Sequence, residues 1–163
     1  MVLRGATAED EAFLWQMLLH AAHAGDEVDG VEALKGLPEL ARYVEGWGRP
    51  TDLGIIATGA DGAAVGAAWT RLIEAYGFVD ERTPELAIAV DPGAVGQGIG
   101  SAMLRRLLVD AERMFPAVSL SVRADNPALR LYERFGFVPV DGSEGTNRVG
   151  GISLTMVRRF TAR

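Results

Sequence analysis

The sequence predicts an α/β domain whose mixed, mostly antiparallel sheet has six to seven strands and is flanked by about four helices. Two apolar runs at residues 53–58 and 65–73 are joined by the turn 59–62, which is typical of an antiparallel hairpin. Residues 118–122 alternate between apolar and polar side chains, as in a strand with one wetter face. Helical repeats separate most of the other strand-like runs, so the predicted order is β-α-α-β-β-β-α-β-α-β-β.

The N-terminal part of the chain is predicted to be mainly helical. After a short strand at residues 2–5, Thr7 is expected to cap a helix over residues 9–24. An acidic loop at 26–30 and a second helical region follow; this region breaks near Gly36 and restarts at Pro38. The apolar residues that share one face of the first helix are Phe13, Leu14, Met17, Leu18 and Ala21.

The second half of the chain is predicted to alternate strands with two helices. The apolar run at residues 85–90 is expected to be a buried strand, and a periodic helix follows its glycine-rich turn to about Phe115. A short helix at residues 127–135 is expected to end at Gly136. The remaining elements are a strand at 137–140, a glycine-rich loop at 141–151 and a last strand at 152–156.

Composition places the chain among ordinary globular proteins and excludes several kinds of site. With 163 residues, 48% hydrophobic and 23% charged, residues 1–163 are expected to form a single domain. The absence of cysteine excludes disulfides, thiol nucleophiles and thiolate metal sites. The net charge of −6 argues against a nucleic-acid partner and is compatible with a cationic substrate such as an amine.

Targeting and membrane signals are not evident in the sequence. No apolar run approaches the ~20 residues that a membrane-spanning helix needs, and the first residues lack the apolar core of a signal peptide. We therefore expect a cytoplasmic protein without a membrane partner. A homodimer formed through the last strands is compatible with the residues.

A glycine-rich turn between the strand at 85–90 and the following helix predicts an anion site. It contains Gly96, Gly98 and Gly100 after Asp91-Pro92-Gly93. Backbone N–H groups at such a helix start converge on one point, the helix dipole favours negative charge there, and glycine lets a phosphate approach closely. The alternative that these glycines only form a tight turn is disfavoured, because three alternating glycines are more than a turn requires.

Two familiar phosphate motifs do not fit this turn. A Walker A loop needs Lys-Ser or Lys-Thr after its last glycine, whereas Gly98 is followed by Ile99-Gly100. A dinucleotide fingerprint needs G-x-G-x-x-G early in the chain, whereas Ser101 occupies the third fingerprint position here. No acidic residue follows at the distance where a ribose would be held.

Two separate stretches resemble the signatures of a known family. Gly98-Ile99-Gly100 fits the second half of a pattern of Gln or Arg, two residues, Gly, one residue, and Gly or Ala. Residues 120–137 combine a strand, an Asn-containing turn and the motif Ala-x-x-Leu-Tyr-x-x-x-Gly-Phe, matched by Ala128, Leu131, Tyr132, Gly136 and Phe137. Both stretches resemble the GNAT superfamily of acetyl-CoA-dependent N-acetyltransferases. The resemblance covers residues 53–156 well and the first helices loosely.

The resemblance implies a GNAT-like fold, acetyl-CoA as cosubstrate, and direct acetyl transfer to a primary amine of a small molecule or peptide. It implies that backbone groups on the strand at 85–90 bind the pantetheine amides and polarise the acetyl carbonyl. Asn126, or Asp125 if the turn is shifted by one, can contact the cosubstrate or only cap the following helix. The implied binding residues are Ile88, Ala89, Val90, Val95, Gly96, Gln97, Gly98, Ile99, Gly100, Ser101, Asn126, Ala128, Leu131 and Tyr132.

One position departs from the family pattern. Val95 stands where the family has Arg or Gln, so a side chain that would help to shape the phosphate turn is missing. The backbone amides of residues 95–101 remain, and Gln97 is a partial substitute. This departure gives weight to a rival hypothesis, a non-catalytic CoA-binding or regulatory module with the same fold.

Tyr132 and Glu85 are the predicted catalytic residues. Tyr132 occupies the family's general-acid position, and an ordinary tyrosine pKa of ~10, against ~8.5 for a thiol, keeps it protonated at neutral pH. The alternative for Tyr132 is a purely structural aromatic residue. Glu85 is the predicted base that neutralises the amine, with Asp80, Glu81 or water as alternatives.

The resemblance implies an acceptor pocket between the first two helices (residues 24–47), the loop at 74–84 and the loop at 141–151. Trp47, Tyr76 and Phe78, together with several acidic residues, suit a small cationic amine with an apolar part. The sequence predicts no metal site, because His20 and His23 lack a third ligand at a suitable spacing.

Overall fold

The computed structural model describes residues 1–21, 30–146 and 152–160. The strands are β1 (Val2–Gly5), β2 (Leu53–Thr58), β3 (Ala64–Arg71), β4 (Glu85–Val90), β5 (Ala117–Arg123), β6 (Val138–Pro139), β7 (Gly145–Thr146) and β8 (Ile152–Arg159). The helices are α1 (Glu11–Ala21), α2 (Val31–Leu34), α3 (Pro38–Ala41), α4 (Ile99–Glu112) and α5 (Leu129–Arg134). No helix in these ranges is long and apolar enough to cross a membrane.

All the strands belong to one mixed sheet. Their order is β1-β2-β3-β4-β5-β8-β6, and β7 pairs with β8 beside this path. Neighbouring strands are antiparallel except for β4 and β5, which run parallel. This mostly antiparallel arrangement with helices on both faces confirms the predicted fold class. The small addition is β7, two residues long, which lies within the predicted loop at 141–151.

The two faces of the sheet bury two separate cores. Alternate residues of a strand point to opposite faces, so in β3 Ala68 joins one core while Ala67 and Trp69 join the other. The first core packs α4 against the sheet through buried residues such as Met103 and Leu107. The second core packs the α1–α3 region against the opposite face of the sheet. Buried residues of this core include Leu14, Met17, Leu18, Leu34 and Leu40.

The first helical segment begins after Thr7, as the sequence predicts. The Thr7 hydroxyl accepts a hydrogen bond from the Glu9 amide at 3.3 Å, and the Asp10 carboxylate accepts from the Thr7 amide at 2.7 Å, which together form a capping box. A 3₁₀ turn at Ala8–Asp10 then leads into α1. Residues 22–29, which hold the end of the predicted helix, His23 and most of the acidic loop, lie outside the described residues.

Several predicted boundaries needed correction. The helical region restarted at Pro38 is helical only to Ala41 and continues as turns to Gly46, which has a positive φ of 71°. The strand predicted at 137–140 is reduced to β6, and the Phe137 amide donates to the Tyr132 carbonyl at 3.0 Å rather than to a neighbouring strand. The last strand is longer than predicted, because β8 continues beyond Met156 to Arg159 as the partner of β5.

The parallel pair β4–β5 is brief. Within the described residues it has one bridge, Glu85↔Ser119, supported by the Ser119 amide donating to the Pro84 carbonyl at 3.0 Å. Beyond this bridge the two strands diverge and leave a wedge in the middle of the sheet. Gly77 lies against the β5 backbone here, since a Cβ at this residue would come within 2.6 Å of the Leu120 carbonyl carbon.

Replacing Gly77 by alanine is expected to destabilise the fold. Its Cβ would collide with rigid backbone of β5, and overpacking of this kind costs about 1–3 kcal/mol in the free energy of unfolding. Chemical denaturation measures this directly. Gly59→Ala is the matched control, because its nearest neighbour would be the Asp61 Oδ1 atom at an ordinary 3.5 Å. Equal stability of the two variants would contradict the close approach of residue 77 to β5.

Candidate active site

A cavity of about 610 Å³ occupies the wedge between β4 and β5. Its strand residues are Leu86, Ala87, Ile88, Ala89 and Val90 of β4, Leu120, Ser121, Val122 and Arg123 of β5, and Ser153, Leu154 and Thr155 of β8. Its other residues are Leu18, His20, Ala21, Leu40, Tyr43, Tyr76, Val95, Gly100, Asn126, Ala128, Leu131, Tyr132 and Ser143. A volume of this size is typical of a small-molecule site.

The two strands turn backbone hydrogen-bonding groups towards this cavity. The Asp91 amide donates to the Val65 carbonyl beside β3, so alternation along β4 directs the amides of Ile88 and Val90 to the opposite edge, where β5 has diverged. On β5, the Ala124 amide donates to the Ile152 carbonyl near β8. The same alternation directs the backbone of Ser121 and Arg123 into the wedge. The cavity therefore has two facing rows of backbone groups.

The glycine-rich turn at residues 91–98 presents a run of amides. The Asp91 carboxylate accepts from the Gly93 amide at 2.9 Å and closes the start of the turn. Gly96 and Gly98 adopt positive φ angles of 87° and 76°, which glycine alone accepts without strain. Among the described residues, no acceptor pairs with the amides of residues 95–101, and Gly98 caps α4 without any side-chain hydrogen bond.

The unpaired amides and the start of α4 coincide. The N-terminus of a helix carries partial positive charge from its unsatisfied N–H groups, and this charge favours an anion. The turn therefore has the backbone geometry that the predicted anion cradle requires, while anion binding itself stays a prediction. Val95 is 67% exposed, and Gln97 makes no side-chain hydrogen bond to a described residue, so the cradle is formed by backbone. Ile99 is buried and packs into the core below the turn.

Tyr132 reaches the cavity from α5. The Asn126 Oδ1 atom accepts from the Ala128 amide at 2.8 Å and shapes the turn before this helix, whereas Asp125 pairs with Arg123. The ring of Tyr132 is 8% exposed and packs edge-on against Phe137, with ring centroids 6.0 Å apart. This packing fixes the direction of the side chain.

The environment of Tyr132 keeps its hydroxyl protonated. Burial raises the pKa of Tyr132 to about 12, because the charged phenolate is disfavoured away from water. None of the described residues hydrogen-bonds this hydroxyl, although the residue lines the cavity. Such a hydroxyl is free to donate a proton or a hydrogen bond to a bound molecule.

The structure does not bring the other predicted catalytic residue to the cavity wall. Glu85 is 0% exposed, and its carboxylate accepts from the Ala75 amide, the Gly77 amide and the Tyr43 hydroxyl at 2.8, 2.7 and 3.0 Å. Burial raises the pKa of Glu85, while these three donors and the charge of Arg42 oppose the rise. A saturated, buried carboxylate is poorly placed to accept a proton from a bound amine.

The alternatives to Glu85 also lie away from the described cavity lining. Asp80 is exposed, and its carboxylate accepts from the Thr83 hydroxyl at 2.8 Å and from the Arg82 amide at 2.9 Å. These hydrogen bonds lower the pKa of Asp80, so the group is a weaker base than an ordinary aspartate. Glu81 is exposed and does not line the cavity.

The acceptor side of the cavity differs from the prediction. Tyr76 lines it, but Trp47 is buried in the second core, where its Nε1 atom donates to the Thr7 carbonyl, and Phe78 is not part of the wall. No aspartate or glutamate is among the described lining residues, so the expected acidic pocket is not found there. Residues 26–29 and 147–151, which belong to the predicted acceptor loops, lie outside the described residues.

Sequence reasoning missed other lining residues on this side. No sequence motif assigned Tyr43 or His20 to the site, and His20 is an exposed residue, as expected for a histidine without a metal partner. Both line the cavity, together with Leu18 and Leu40. Their contribution depends on how the α1–α3 region packs on the sheet, which no local motif indicates. In the described part of the chain, no cluster of His, Asp or Glu side chains could hold a metal ion.

The chain matches a known family over most of its length. Residues 32–137 match the model of the acetyltransferase (GNAT) family. A mycothiol acetyltransferase from Beutenbergia cavernae is 34% identical over 139 residues, which are 83% of this chain and 43% of that protein. One from Clavibacter sepedonicus is 36% identical over 131 residues, or 78% of this chain and 40% of that protein. The chain thus spans less than half the length of these curated relatives.

Solved structures agree with the fold. A ribosomal-protein-alanine N-acetyltransferase from Brucella melitensis superposes with a TM-score of 0.72 at 22% identity, covering 98% of this chain and 100% of that one. A GCN5-related N-acetyltransferase from Kribbella flavida gives a TM-score of 0.71 at 20% identity, covering 98% and 97%. The resemblance inferred from the two sequence signatures is confirmed, and this chain belongs to the GNAT family of acetyltransferases.

Proposed function

We propose that this chain is an acetyl-CoA-dependent N-acetyltransferase that transfers an acetyl group directly to a primary amine of a small molecule or peptide. One observation carries the proposal: the cavity is lined by Val95 and Gly100 of the glycine-rich turn, by the diverging strands β4 and β5, and by Tyr132. The family uses acetyl-CoA as cosubstrate, which agrees with this combination of an anion cradle and a long cleft.

Different parts of the cleft suit different parts of acetyl-CoA. The amides at 95–101 suit its pyrophosphate, because each hydrogen bond to a charged group contributes about 1.5–3 kcal/mol. The facing backbone rows of Ile88 and Val90 on β4, and of Ser121 and Arg123 on β5, suit the amides of the pantetheine arm. Since the cradle offers only backbone donors, the exposed Val95 does not disqualify it.

The proposed reaction needs two contributions from the protein and an acceptor for the proton of the amine. Acetyl-CoA supplies an activated thioester; the amine nitrogen forms a bond to the acetyl carbon while the carbon–sulfur bond breaks. A β4 amide, from Ile88 or Val90, stabilises the negative charge that develops on the carbonyl oxygen. Tyr132 donates its proton to the departing thiolate. The Glu85 carboxylate is enclosed by three hydrogen-bond donors, so this geometry does not favour it as the base. We therefore propose that water in the cavity accepts the proton of the amine.

A small-molecule acceptor is supported by the curated relatives, which are named mycothiol acetyltransferases. The chain covers only part of each of them, so the acceptor is a proposal for this domain. The described cavity wall is mainly apolar and aromatic on the side of Leu18, Leu40 and Tyr76. A cytoplasmic location and a single domain over residues 1–163 remain predictions from the sequence.

Coenzyme A is expected to stabilise the fold, and a negative charge in the cradle is expected to weaken its binding. At 100 times its Kd, CoA should add about 2.7 kcal/mol to the free energy of unfolding. In Gln97→Glu, a carboxylate near the pyrophosphate should raise the Kd of CoA roughly tenfold, the effect of 1–2 kcal/mol of repulsion. Calorimetric titration gives both Kd values.

The charge-matched control for this experiment is Gln16→Glu, which places the same charge on the exposed side of α1. It should bind CoA like the wild type. If neither CoA nor acetyl-CoA changes the stability of the wild-type protein, the cosubstrate assignment fails, and nicotinamide dinucleotides tested in the same assay become the next candidates.

Tyr132→Phe tests the proposed general acid. Loss of the hydroxyl should lower kcat by about 10²–10⁴, while the stabilisation by CoA, which does not depend on it, should persist. The measurement is acceptor-dependent release of CoA thiol across a panel of amines. A nearly normal rate in this variant would leave Tyr132 as a structural aromatic residue. Release of no thiol with any amine, despite tight CoA binding, would favour the non-catalytic binding module.

The pH dependence of kcat offers a further test of this role. Because burial raises the pKa of Tyr132 to about 12, its proton should be present throughout the ordinary assay range. The wild-type kcat is therefore expected to show no fall from loss of an acid between about pH 7 and 10. A falling limb with a midpoint near pH 8 or 9 would assign the acid to another group.

A further inference from the structure

The loop between β3 and β4 is held by one buried carboxylate. The amides of Ala75 and Gly77 donate to the two oxygens of Glu85 at 2.8 and 2.7 Å, and the Tyr43 hydroxyl donates to the Oε1 atom at 3.0 Å. Glu85 and Tyr43 are both buried. Hydrogen bonds to a buried charged group are among the stronger interactions in a fold, so this loop backbone is firmly fixed.

Further contacts tie the same loop to the segment after α3. Arg42 donates from its Nη1 atom to the Glu74 carbonyl, and the Tyr76 backbone hydrogen-bonds the Tyr43 hydroxyl. The Tyr43 carbonyl in turn accepts from the Trp69 Nε1 atom of β3 at 3.0 Å. The segment at 42–43 is thus attached to the sheet on one side and to the loop on the other.

This anchor positions a side chain at the cavity. Tyr76 lies between the two amides that Glu85 holds, is 41% exposed, and lines the cavity together with Tyr43. The loop meets β4 at Glu85, whereas the amide cradle follows Val90. Five steps along a strand span ~16 Å, so the loop and the cradle lie at opposite ends of the cleft. The end near Tyr76 is therefore where an acceptor would enter.

We propose that Glu85 is a positioning residue rather than the base: with Tyr43 it fixes the backbone at residues 75–77 and so places Tyr76 as the residue that determines which acceptors the site admits. This inference rests on the proposed acetyltransferase function. It requires that loss of the carboxylate alter acceptor recognition more than the chemical step, and that cosubstrate binding remain normal.

Hydrogen exchange tests the anchor without any assay of activity. In Glu85→Gln, a side-chain N–H₂ group replaces one accepting oxygen, so the amides of residues 75 and 77 should exchange at least tenfold faster, while those of α4 stay unchanged. Tyr43→Phe, which removes one donor and keeps the ring, should give a smaller increase at the same amides. The charge-matched control is Glu45→Gln, an exposed glutamate in the same segment that does not line the cavity. Unchanged exchange at residues 75–77 in Glu85→Gln would overturn the proposal.

Kinetics test the consequence for acceptors. In Glu85→Gln the acceptor KM should rise about tenfold or more, kcat should fall less than threefold, and the pH profile of kcat should keep its shape. Tyr76→Ala should change the ratio of kcat/KM between a bulky apolar amine and a small amine at least tenfold. A hundredfold loss of kcat at unchanged KM, with loss of the limb that reports a base, would assign Glu85 to catalysis.

These experiments separate the two proposals. In one outcome, the wild-type protein transfers no acetyl group but Glu85→Gln still speeds amide exchange at residues 75–77. The proposed function and the role in acceptor choice are then overturned, and the anchor stands as a structural feature. If transfer occurs and the acceptor ranking is the same in Tyr76→Ala, the specificity role fails while the acetyltransferase function stands.

Discussion

The divergence of β4 and β5 is the constraint on which the site depends. The two strands share a single parallel bridge at Glu85↔Ser119 and then separate. A continuous ladder would pair their backbone groups and close the sheet. Gly77 supports the separation, because only a residue without a side chain can approach β5 so closely at this point. The cavity is thus an opening within the sheet, where the facing backbone edges of β4 and β5 lie beside side chains such as Tyr132 and Tyr76.

The unpaired backbone groups explain why this opening suits a long polar ligand. Buried N–H and C=O groups without partners are costly, so they are tolerated where water or a ligand can satisfy them. Beyond the end of β4, the amides of residues 95–101 are also without partners among the described residues. The dipole of α4 adds partial positive charge at the same place. Backbone donors carry no side-chain identity, which is why Val95 can replace a polar residue without removing the cradle.

The backbone geometry of the glycine-rich turn and the place of Tyr132 beside the cavity could be predicted from the sequence, because their determinants are local. The turn needs glycines at positive φ, and Tyr132 is fixed by the helix and turn around it, so short motifs contain nearly all the relevant geometry. The acceptor half could not be predicted in the same way. Trp47 was expected there, but its Nε1 bond to the Thr7 carbonyl holds it in the second core. His20 and Tyr43 reach the cavity through tertiary packing, which no local pattern reveals.

Glu85 shows most clearly where local reasoning stops. It stands at the start of β4, directly before the cavity-lining Leu86, yet its carboxylate is occupied by partners from residues 43, 75 and 77, and Glu85 does not line the cavity. The neighbouring segment depends on another long-range contact, since the buried Arg71 pairs with Asp52 at 3.1 Å and donates to the Arg42 carbonyl. Breaking such a buried pair leaves an uncompensated charge, so these contacts constrain the backbone strongly. Tyr76 belongs to the same anchor, since its backbone hydrogen-bonds the Tyr43 hydroxyl. Under the proposed function, Tyr76 lies at the acceptor end of the cavity and the glycine-rich turn follows the other end of β4, so a change of acceptor preference at residue 76 does not require a change in that turn.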